Sequence, residues 1–186
     1  MRNLLLTVFC LLSVTTLLFS QTLNTTQNKK EYKTIYQISL GINAIDNSGD
    51  GSPVSGSWEF STPVAIGIEA RSYYDKNLAI VGDFTYNGYD GLQYYSVDAG
   101  FKYYLNNWIK SEKFELAPMA GIGLFNINRT NVSINFGGSL AYWISDKFAL
   151  RLKSLAKIGL NNNVESNDIN NGHYVHNLEL VYILNK

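Results

Sequence analysis

The feature of this sequence that most limits its fold is a repeated run of about ten residues in which apolar side chains alternate with polar or small ones. This alternation has the period of a β-strand, whose successive side chains point to opposite faces. Eight such runs can be read: Thr34 to Asp46, Val64 to Tyr74, Leu78 to Asn87, Tyr94 to Leu105, Phe114 to Asn128, Val132 to Ile144, Phe148 to Asn161 and His173 to Leu184. We therefore predict an all-β domain over residues 34–186, an eight-stranded antiparallel up-and-down transmembrane β-barrel.

Each run sorts its side chains into an apolar face and a face of small or charged residues. In the second run, Ile66 and Ile68 share one face, whereas Glu69 and Arg71 share the other. Equal numbers of acids and bases can neutralise one another in a narrow interior, where an unpaired charge costs several kcal/mol. We therefore expect the polar face to point inward. Its acids are Glu69, Asp83, Asp98, Glu115 and Glu179, and its bases are Arg71, Lys102, Arg151, Lys153 and Lys157.

The alternation by itself also allows the opposite arrangement, in which the apolar face points inward. A soluble secreted barrel of the lipocalin type has such an interior and binds a small apolar ligand there. A third reading is a surface adhesin, which would contact its partner through the long connections from Asn47 to Pro63 and from Asn162 to Gly172.

The first 21 residues have the composition of a signal peptide. Arg2 precedes an apolar stretch from Leu4 to Phe19, and the small residue Ser20 follows it. The stretch is shorter than the roughly 20 residues of a membrane-spanning helix. We predict that residues 1–21 are removed on export and that residues 22–33 form a polar lead-in. The one cysteine, Cys10, lies in this leader, so we expect neither a disulfide nor a thiol nucleophile in the mature chain.

Aromatic residues are concentrated at one end of the predicted strands. This is the end with the connections that follow the second, fourth and sixth runs. In outer-membrane barrels such residues form a girdle at the membrane interface, and the turns on the periplasmic side are short. Pro118 lies inside the fifth run, where its missing amide predicts a bulge. The predicted girdle comprises Tyr73, Tyr74, Tyr103, Tyr104, Trp108, Tyr142, Trp143 and Phe148.

The sequence contains no pattern that favours catalysis or metal binding. Fifteen acidic and fifteen basic residues cancel, which disfavours binding to nucleic acid. His173 and His176 lie three residues apart, hence on opposite faces of a strand, and cannot ligate one metal together. The segment from Asp46 to Gly51 is similar to the start of a calcium loop, but Ser57 stands where that loop has its glutamate. We expect no enzyme activity, no metal and no cofactor.

Three segments resemble the OmpA-like family of eight-stranded outer-membrane barrels: Leu40 to Gly49, Trp58 to Pro63 and Ile66 to Tyr74. The resemblance implies a monomer in the cell outer membrane, surrounded by outer-membrane lipid and folded by the barrel-assembly machinery. Some members join the barrel to a peptidoglycan-binding domain. The sequence ends at Lys186 without one, so we do not expect cell-wall tethering.

The same resemblance implies a cluster of Glu, Lys and Arg that blocks or gates the lumen, and here Glu69, Lys102, Glu115 and Arg151 are its candidates. The alternative is that these residues form interior ion pairs with a purely structural role. An eight-stranded interior is just filled by side chains. We therefore expect a structural or surface-exposed outer-membrane protein with at most weak solute passage.

Overall fold

The computed structural model describes residues 34–46, 58–59, 62–72, 77–89, 92–109, 111–127, 129–160 and 172–185. The predicted signal peptide and lead-in, residues 1–33, lie outside these ranges. None of the described residues belongs to a helix that is long and apolar enough to cross a membrane. The strands are β1 (Ile35–Asp46), β2 (Trp58–Glu59), β3 (Val64–Arg71), β4 (Leu78–Tyr89), β5 (Leu92–Tyr103), β6 (Phe114–Ile127), β7 (Arg129–Trp143), β8 (Phe148–Gly159) and β9 (Gly172–Ile183).

The eight long strands close into an antiparallel barrel. From β3 to β9 each strand pairs with the next along the chain, and β1 pairs with β3 on one side and with β9 on the other. This confirms the predicted eight-stranded up-and-down barrel. The two-residue strand β2 was not predicted, and it pairs with the end of β1 through Ile45↔Glu59 and Asp46↔Trp58.

A path through directly paired residues shows how the strands are staggered. The path begins at Tyr36 on β1 and moves from each residue to its paired residue on the next strand around the barrel. It arrives back on β1 at Asp46, which is ten residues further along the strand than its starting point. Closing a barrel with such a stagger requires tilted strands, at roughly 35–45° to the axis. The residues between the two ends of the path are Ala70, Ile80, Phe101, Ala120, Phe136, Ala156 and Tyr174.

The two ends of the barrel differ in their connections. We call the turn end the one at which β3 ends and β4 begins, and which also carries residues 104–109, 111–113 and 144–147; the loop end is the opposite one. Two hairpins at the loop end are tighter than predicted, since Tyr89 pairs with Leu92 and Ile127 pairs with Arg129. The strands extend beyond the alternating runs here because backbone pairing does not depend on apolar side chains.

The apolar face of the strands is outside and the charged face is inside. Leu40 is 63% exposed and Ile68 is 62% exposed, whereas Lys102 and Lys153 are each 2% exposed. Burial of lysines beneath an apolar exterior is the arrangement predicted for a membrane barrel. The lipocalin-like alternative requires an apolar interior, and this charged interior contradicts it.

Pro118 does not produce the predicted bulge. The β6–β7 register runs without a shift through Ala117↔Ser139, Pro118↔Gly138 and Met119↔Gly137. The Leu116 carbonyl accepts a hydrogen bond from the amide of Leu105, so the backbone of Pro118, two residues further along, also faces β5. The β5–β6 ladder ends at Lys102↔Met119, and the proline therefore lies just beyond it.

The predicted aromatic girdle is present in part at the turn end. Tyr103, Tyr142 and Phe148 lie on the exterior and are 39 to 45% exposed, and Trp108 is 82% exposed. Trp143 is half-buried, and Tyr73 and Tyr74 lie outside the described residues. Tyr104 was wrongly assigned to the girdle, since it is buried in the interior at 2% exposure. Consecutive residues of a strand alternate in direction, so Tyr103 and Tyr104 do not share a face.

Candidate functional site: the charged interior

Glu69 on β3 is the centre of a buried ion-pair network. Lys102 Nζ on β5 and Arg151 Nη1 on β8 lie 3.0 and 3.1 Å from the same carboxylate oxygen, Oε2. The hydroxyl of Tyr104 donates a hydrogen bond to the other oxygen, Oε1. The structure thus brings together three of the four residues implied by the resemblance, from strands that are not neighbours.

Arg151 connects Glu69 to a second carboxylate, Glu179 on β9. Its Nη2 lies 2.6 Å from Glu179 Oε2, and its Nε donates to the same oxygen at 2.7 Å. Lys153 Nζ lies 2.7 Å from Glu179 Oε1 and 2.6 Å from Asp83 Oδ1. The network therefore crosses the interior from β3 and β5 to β4, β8 and β9. Sequence reasoning placed Glu179, Lys153 and Asp83 on the polar face but not in the cluster.

The structure places Glu115 apart from the other three candidates, at the turn end. Its carboxylate lies 2.9 Å from Arg71 Nη1 and accepts a hydrogen bond from Asn106 Nδ2 at 3.1 Å. The guanidinium carbon of Arg71 lies 3.9 Å from the centre of the Tyr104 ring. Because Tyr104 also binds Glu69, it connects the Glu115 pair to the central network.

Tyr104 lies one residue beyond β5, and its ionisation is strongly disfavoured. Burial, followed by the negative charges of Glu69 and Glu115, raises the pKa of the Tyr104 hydroxyl well above its ordinary value. The hydroxyl therefore keeps its proton near neutral pH and donates a hydrogen bond to the Glu69 carboxylate. Its position could have been inferred from parity alone, since it is two residues from the inward-facing Lys102.

A second ion-pair cluster lies closer to the loop end. Lys157 Nζ contacts both carboxylate oxygens of Asp98 at 2.6 Å. Asn135 Nδ2 donates to Asp98 Oδ1 at 2.8 Å, and Ser96 Oγ donates to Asp98 Oδ2 at 3.1 Å. Ser133 in turn donates to Asn135. Asp98 thereby accepts hydrogen bonds from three side chains, as a buried carboxylate requires.

Two inward-facing glycines leave the space that these clusters occupy. A Cβ at Gly67 would lie 2.8 Å from Asp83 Oδ1 and closer still to Ser39 Oγ. At Gly123 it would lie 2.8 Å from Asn135 Nδ2 and closer still to Asp98 Oδ1. Real Cβ atoms do not approach polar atoms this closely, so the glycines allow the long charged side chains to meet.

An aromatic cluster occupies the interior at the loop end, and the sequence analysis missed it. The Tyr94 hydroxyl and His173 Nε2 are hydrogen-bonded at 2.9 Å. The rings of Phe125 and His173 lie 4.9 Å apart in an edge-to-face arrangement. Ile45 and Val175 pack with Tyr94 and Phe125. The sequence did contain a signal for it. Tyr94 is four residues from Asp98 and Phe125 is two residues from Gly123, so each lies on the inward face of its strand.

The ten predicted polar-face charges all take part in the ion pairs described above. Five acids and five bases make this set neutral, and together with the aromatic cluster they fill the interior with side chains. Within the described ranges, no group of three His, Cys, Asp or Glu residues is arranged to hold a metal ion. His173 and His176 lie on opposite faces of β9, as predicted, and it is His173 that faces inward.

No protein-family model matches the sequence, and no curated protein matches it. Among solved structures, the N-terminal β-barrel domain of Pseudomonas aeruginosa OprF matches with a TM-score of 0.53 at 10% identity, covering 82% of this chain and 100% of that one. Neisserial surface protein A matches with a TM-score of 0.53 at 13% identity, covering 81% of this chain and 96% of that one. At these identities the likeness shows the fold.

Proposed function

We propose that this chain is an outer-membrane protein whose barrel spans the lipid bilayer and has a structural or surface-exposed role. The observation that carries the proposal is the distribution of its side chains, which is the reverse of that in a soluble protein: apolar residues are outside and charged residues are inside. Leu40, Ile68 and Phe101 are at least 60% exposed on the outside, whereas ten charged residues are paired inside. In water such an exterior would be a large apolar patch, which soluble monomers avoid.

The aromatic residues on the exterior support a membrane position. At the turn end, Phe114 and Tyr142 lie 5.0 Å apart, and Phe148 and Tyr182 lie 4.9 Å apart, measured between ring centroids. At the loop end, Tyr95 is 43% exposed. Amphipathic rings at both ends of an apolar band are typical of membrane barrels.

Solute passage through this barrel is at most weak in our proposal. Ion pairs and the aromatic cluster occupy the interior from the turn end to the loop end, and eight strands leave no room for a water-filled pore beside them. We assign the ion pairs a structural role, in which they neutralise a polar interior.

Gating by the same residues is the second candidate, and one contact favours it. Glu69 Oε2 lies within 3.1 Å of both Lys102 and Arg151. A gate could therefore operate by exchange of Glu69 between these two cationic partners. Planar-bilayer recordings of Arg151→Ala distinguish the two roles. A structural role predicts a change in conductance of less than about threefold, since the remaining side chains still fill the lumen. A larger increase would favour the gate.

The remaining parts of the proposal concern partners and chemistry. We propose a monomer that contacts outer-membrane lipid, is inserted by the barrel-assembly machinery and has no enzymatic activity. The adhesin alternative depends on the connections 47–63 and 162–172, most of whose residues lie outside the described ranges, and it stays a prediction.

Fractionation and gel mobility test the proposal. We expect the expressed protein to pellet with the outer membrane after a high-salt wash. The detergent-folded protein should migrate differently on a denaturing gel before and after boiling, because a closed barrel has no edge strand from which to unzip. Recovery in the soluble fraction together with identical mobility would contradict a membrane-spanning barrel.

A further inference from the structure

A cavity of about 250 Å³ opens at the turn end of the barrel. Its lining includes the first residues of β1, the ends of β3, β7 and β9, and residues of the turns that follow β5 and β7. Pockets that hold drug-sized ligands have volumes of about 300–1,000 Å³, so this cavity suits a smaller molecule. It lies outside the central network, and the proposed function does not use it.

One wall of the cavity contains a buried amide nitrogen without a partner. Gln37 lines the cavity from β1 and is 3% exposed, and its Nε2 makes no hydrogen bond. Such a donor has given up its hydrogen bonds to water and gained none in return, which costs free energy. Most buried polar groups in folded proteins are paired. The cavity therefore favours a molecule that brings a hydrogen-bond acceptor to Gln37.

The walls next to Gln37 are apolar. Ile35 lies two residues before it on the same face of β1, and Ile183 is its paired residue on β9. Trp143, at the end of β7, adds an aromatic side chain to the lining. An apolar group that covers these side chains removes their surface from water, which is favourable.

The charged residues of the lining give little preference for an ionic ligand. Arg71 and Glu115 are paired with each other at 2.9 Å, and their side chains are nearly buried. Glu112 and Asp146 are exposed residues of turns. A charged ligand would have to separate the buried pair or bind through exposed side chains, whose ion pairs contribute little. The lining therefore favours a neutral molecule.

We propose that this cavity binds a small neutral compound of the amide class. Its carbonyl oxygen accepts a hydrogen bond from Nε2 of Gln37, and its apolar part lies against Ile35, Trp143 and Ile183. A hydrocarbon of the same size would leave Gln37 unpaired. Water would pair Gln37 but leave the apolar walls wet, and a well-ordered water needs two to four polar partners.

The test uses the mature barrel folded in detergent, with N-isopropylacetamide as the probe. The indole N–H signal of Trp143 in NMR spectra reports binding, and comparison with Trp143→Phe assigns it. We expect a saturable shift with a dissociation constant of about 1–10 mM, as for other ligands of this size. Isopropylammonium and acetate should give no saturable shift. The signal of Trp108, which does not line the cavity, is the internal control.

Gln37→Leu tests the assigned hydrogen bond. It should weaken binding of N-isopropylacetamide about fivefold or more, because the donor is lost. The same variant should keep or raise the Tm, since an apolar side chain of similar size replaces an unpaired buried amide. Gln93→Leu is the matched control. Gln93 is exposed on β5 near the loop end, and its replacement should leave the affinity unchanged.

Several outcomes would overturn the proposal. The absence of a saturable shift would show that the cavity holds only water. Isopropylammonium or acetate binding as tightly as the amide would exclude a preference for neutral ligands. Unchanged affinity or a lowered Tm in Gln37→Leu would exclude the hydrogen bond to an otherwise unpaired amide. Gel mobility verifies that each variant is folded, and Gln37→Met takes the place of Gln37→Leu if the latter does not fold.

Discussion

Asp98 on β5 and Lys157 on β8 pair across the barrel, with Nζ of the lysine 2.6 Å from both carboxylate oxygens. Two further strands, β6 and β7, separate them around the wall. Lys157 has no exposed side-chain surface, and that of Asp98 is 6% exposed. The pair is therefore shielded from solvent.

Removal of one partner of this pair should be more harmful than removal of both. Lys157→Met leaves the Asp98 charge buried without a cation, and we expect a loss of about 3–5 kcal/mol in the free energy of unfolding. Asp98→Asn combined with Lys157→Met should lose less than the sum of the single losses. Urea unfolding in detergent, analysed as a double-mutant cycle, measures the difference. Additive losses would show that the two residues are not coupled.

A charge on the exterior should be costly in the middle of a strand and tolerated at its end. Val97 and Tyr103 both face outward on β5 and are 54 and 45% exposed. Val97→Arg should destabilise the inserted barrel by about 2–4 kcal/mol, and Tyr103→Arg by about 0–1 kcal/mol, because the cost depends on depth in the bilayer. Refolding equilibria in lipid vesicles test this. Equal costs at both positions would argue against the assigned membrane position.

The space at Gly123 should be required by the Asp98 cluster. A methyl group there would approach Asn135 Nδ2 to 2.8 Å, so we expect Gly123→Ala to lower the free energy of unfolding by about 1–3 kcal/mol. Gly82→Ala is the matched control. Its Cβ would lie 3.2 Å from Cγ1 of Ile68 and 3.9 Å from the Asp98 carbonyl. The Ile68 side chain faces outward and needs to move by only a few tenths of an ångström, so the effect should stay within about 0.5 kcal/mol. Similar losses in both variants would indicate a general effect of glycine replacement.

Tyr104 should contribute stability that disappears at alkaline pH. The pKa of its hydroxyl is raised in the folded barrel, whereas in the unfolded chain it is about 10. The unfolded state therefore loses this proton first, and the contribution is fully present below pH of about 10 and declines above it. The Tm difference between wild type and Tyr104→Phe should be constant from about pH 7 to 9 and shrink above about 10. A difference that grows with pH would contradict the Tyr104–Glu69 hydrogen bond.

The alternation of side chains along the strands predicted the charged residues of the interior but not its aromatic residues. The ten charged residues were placed on one face because each alternates with Leu, Ile, Val, Phe or other apolar neighbours. Tyr104 and Tyr94 were not, because an aromatic residue near a strand end is also compatible with the membrane interface. Their neighbours Lys102 and Asp98 determine their direction.

The sequence by itself determined the number of long barrel strands, their approximate limits and the face on which each charge lies, since side-chain alternation is a local property of the chain. Only the tertiary structure decided which charges meet. Glu69 pairs with Lys102 and Arg151, while Glu115 pairs with Arg71, because the ten-residue stagger brings residues of distant strands to the same level. That stagger is the sum of eight separate strand pairings, and a slip of one residue in any of them would turn a whole strand's charges towards the exterior.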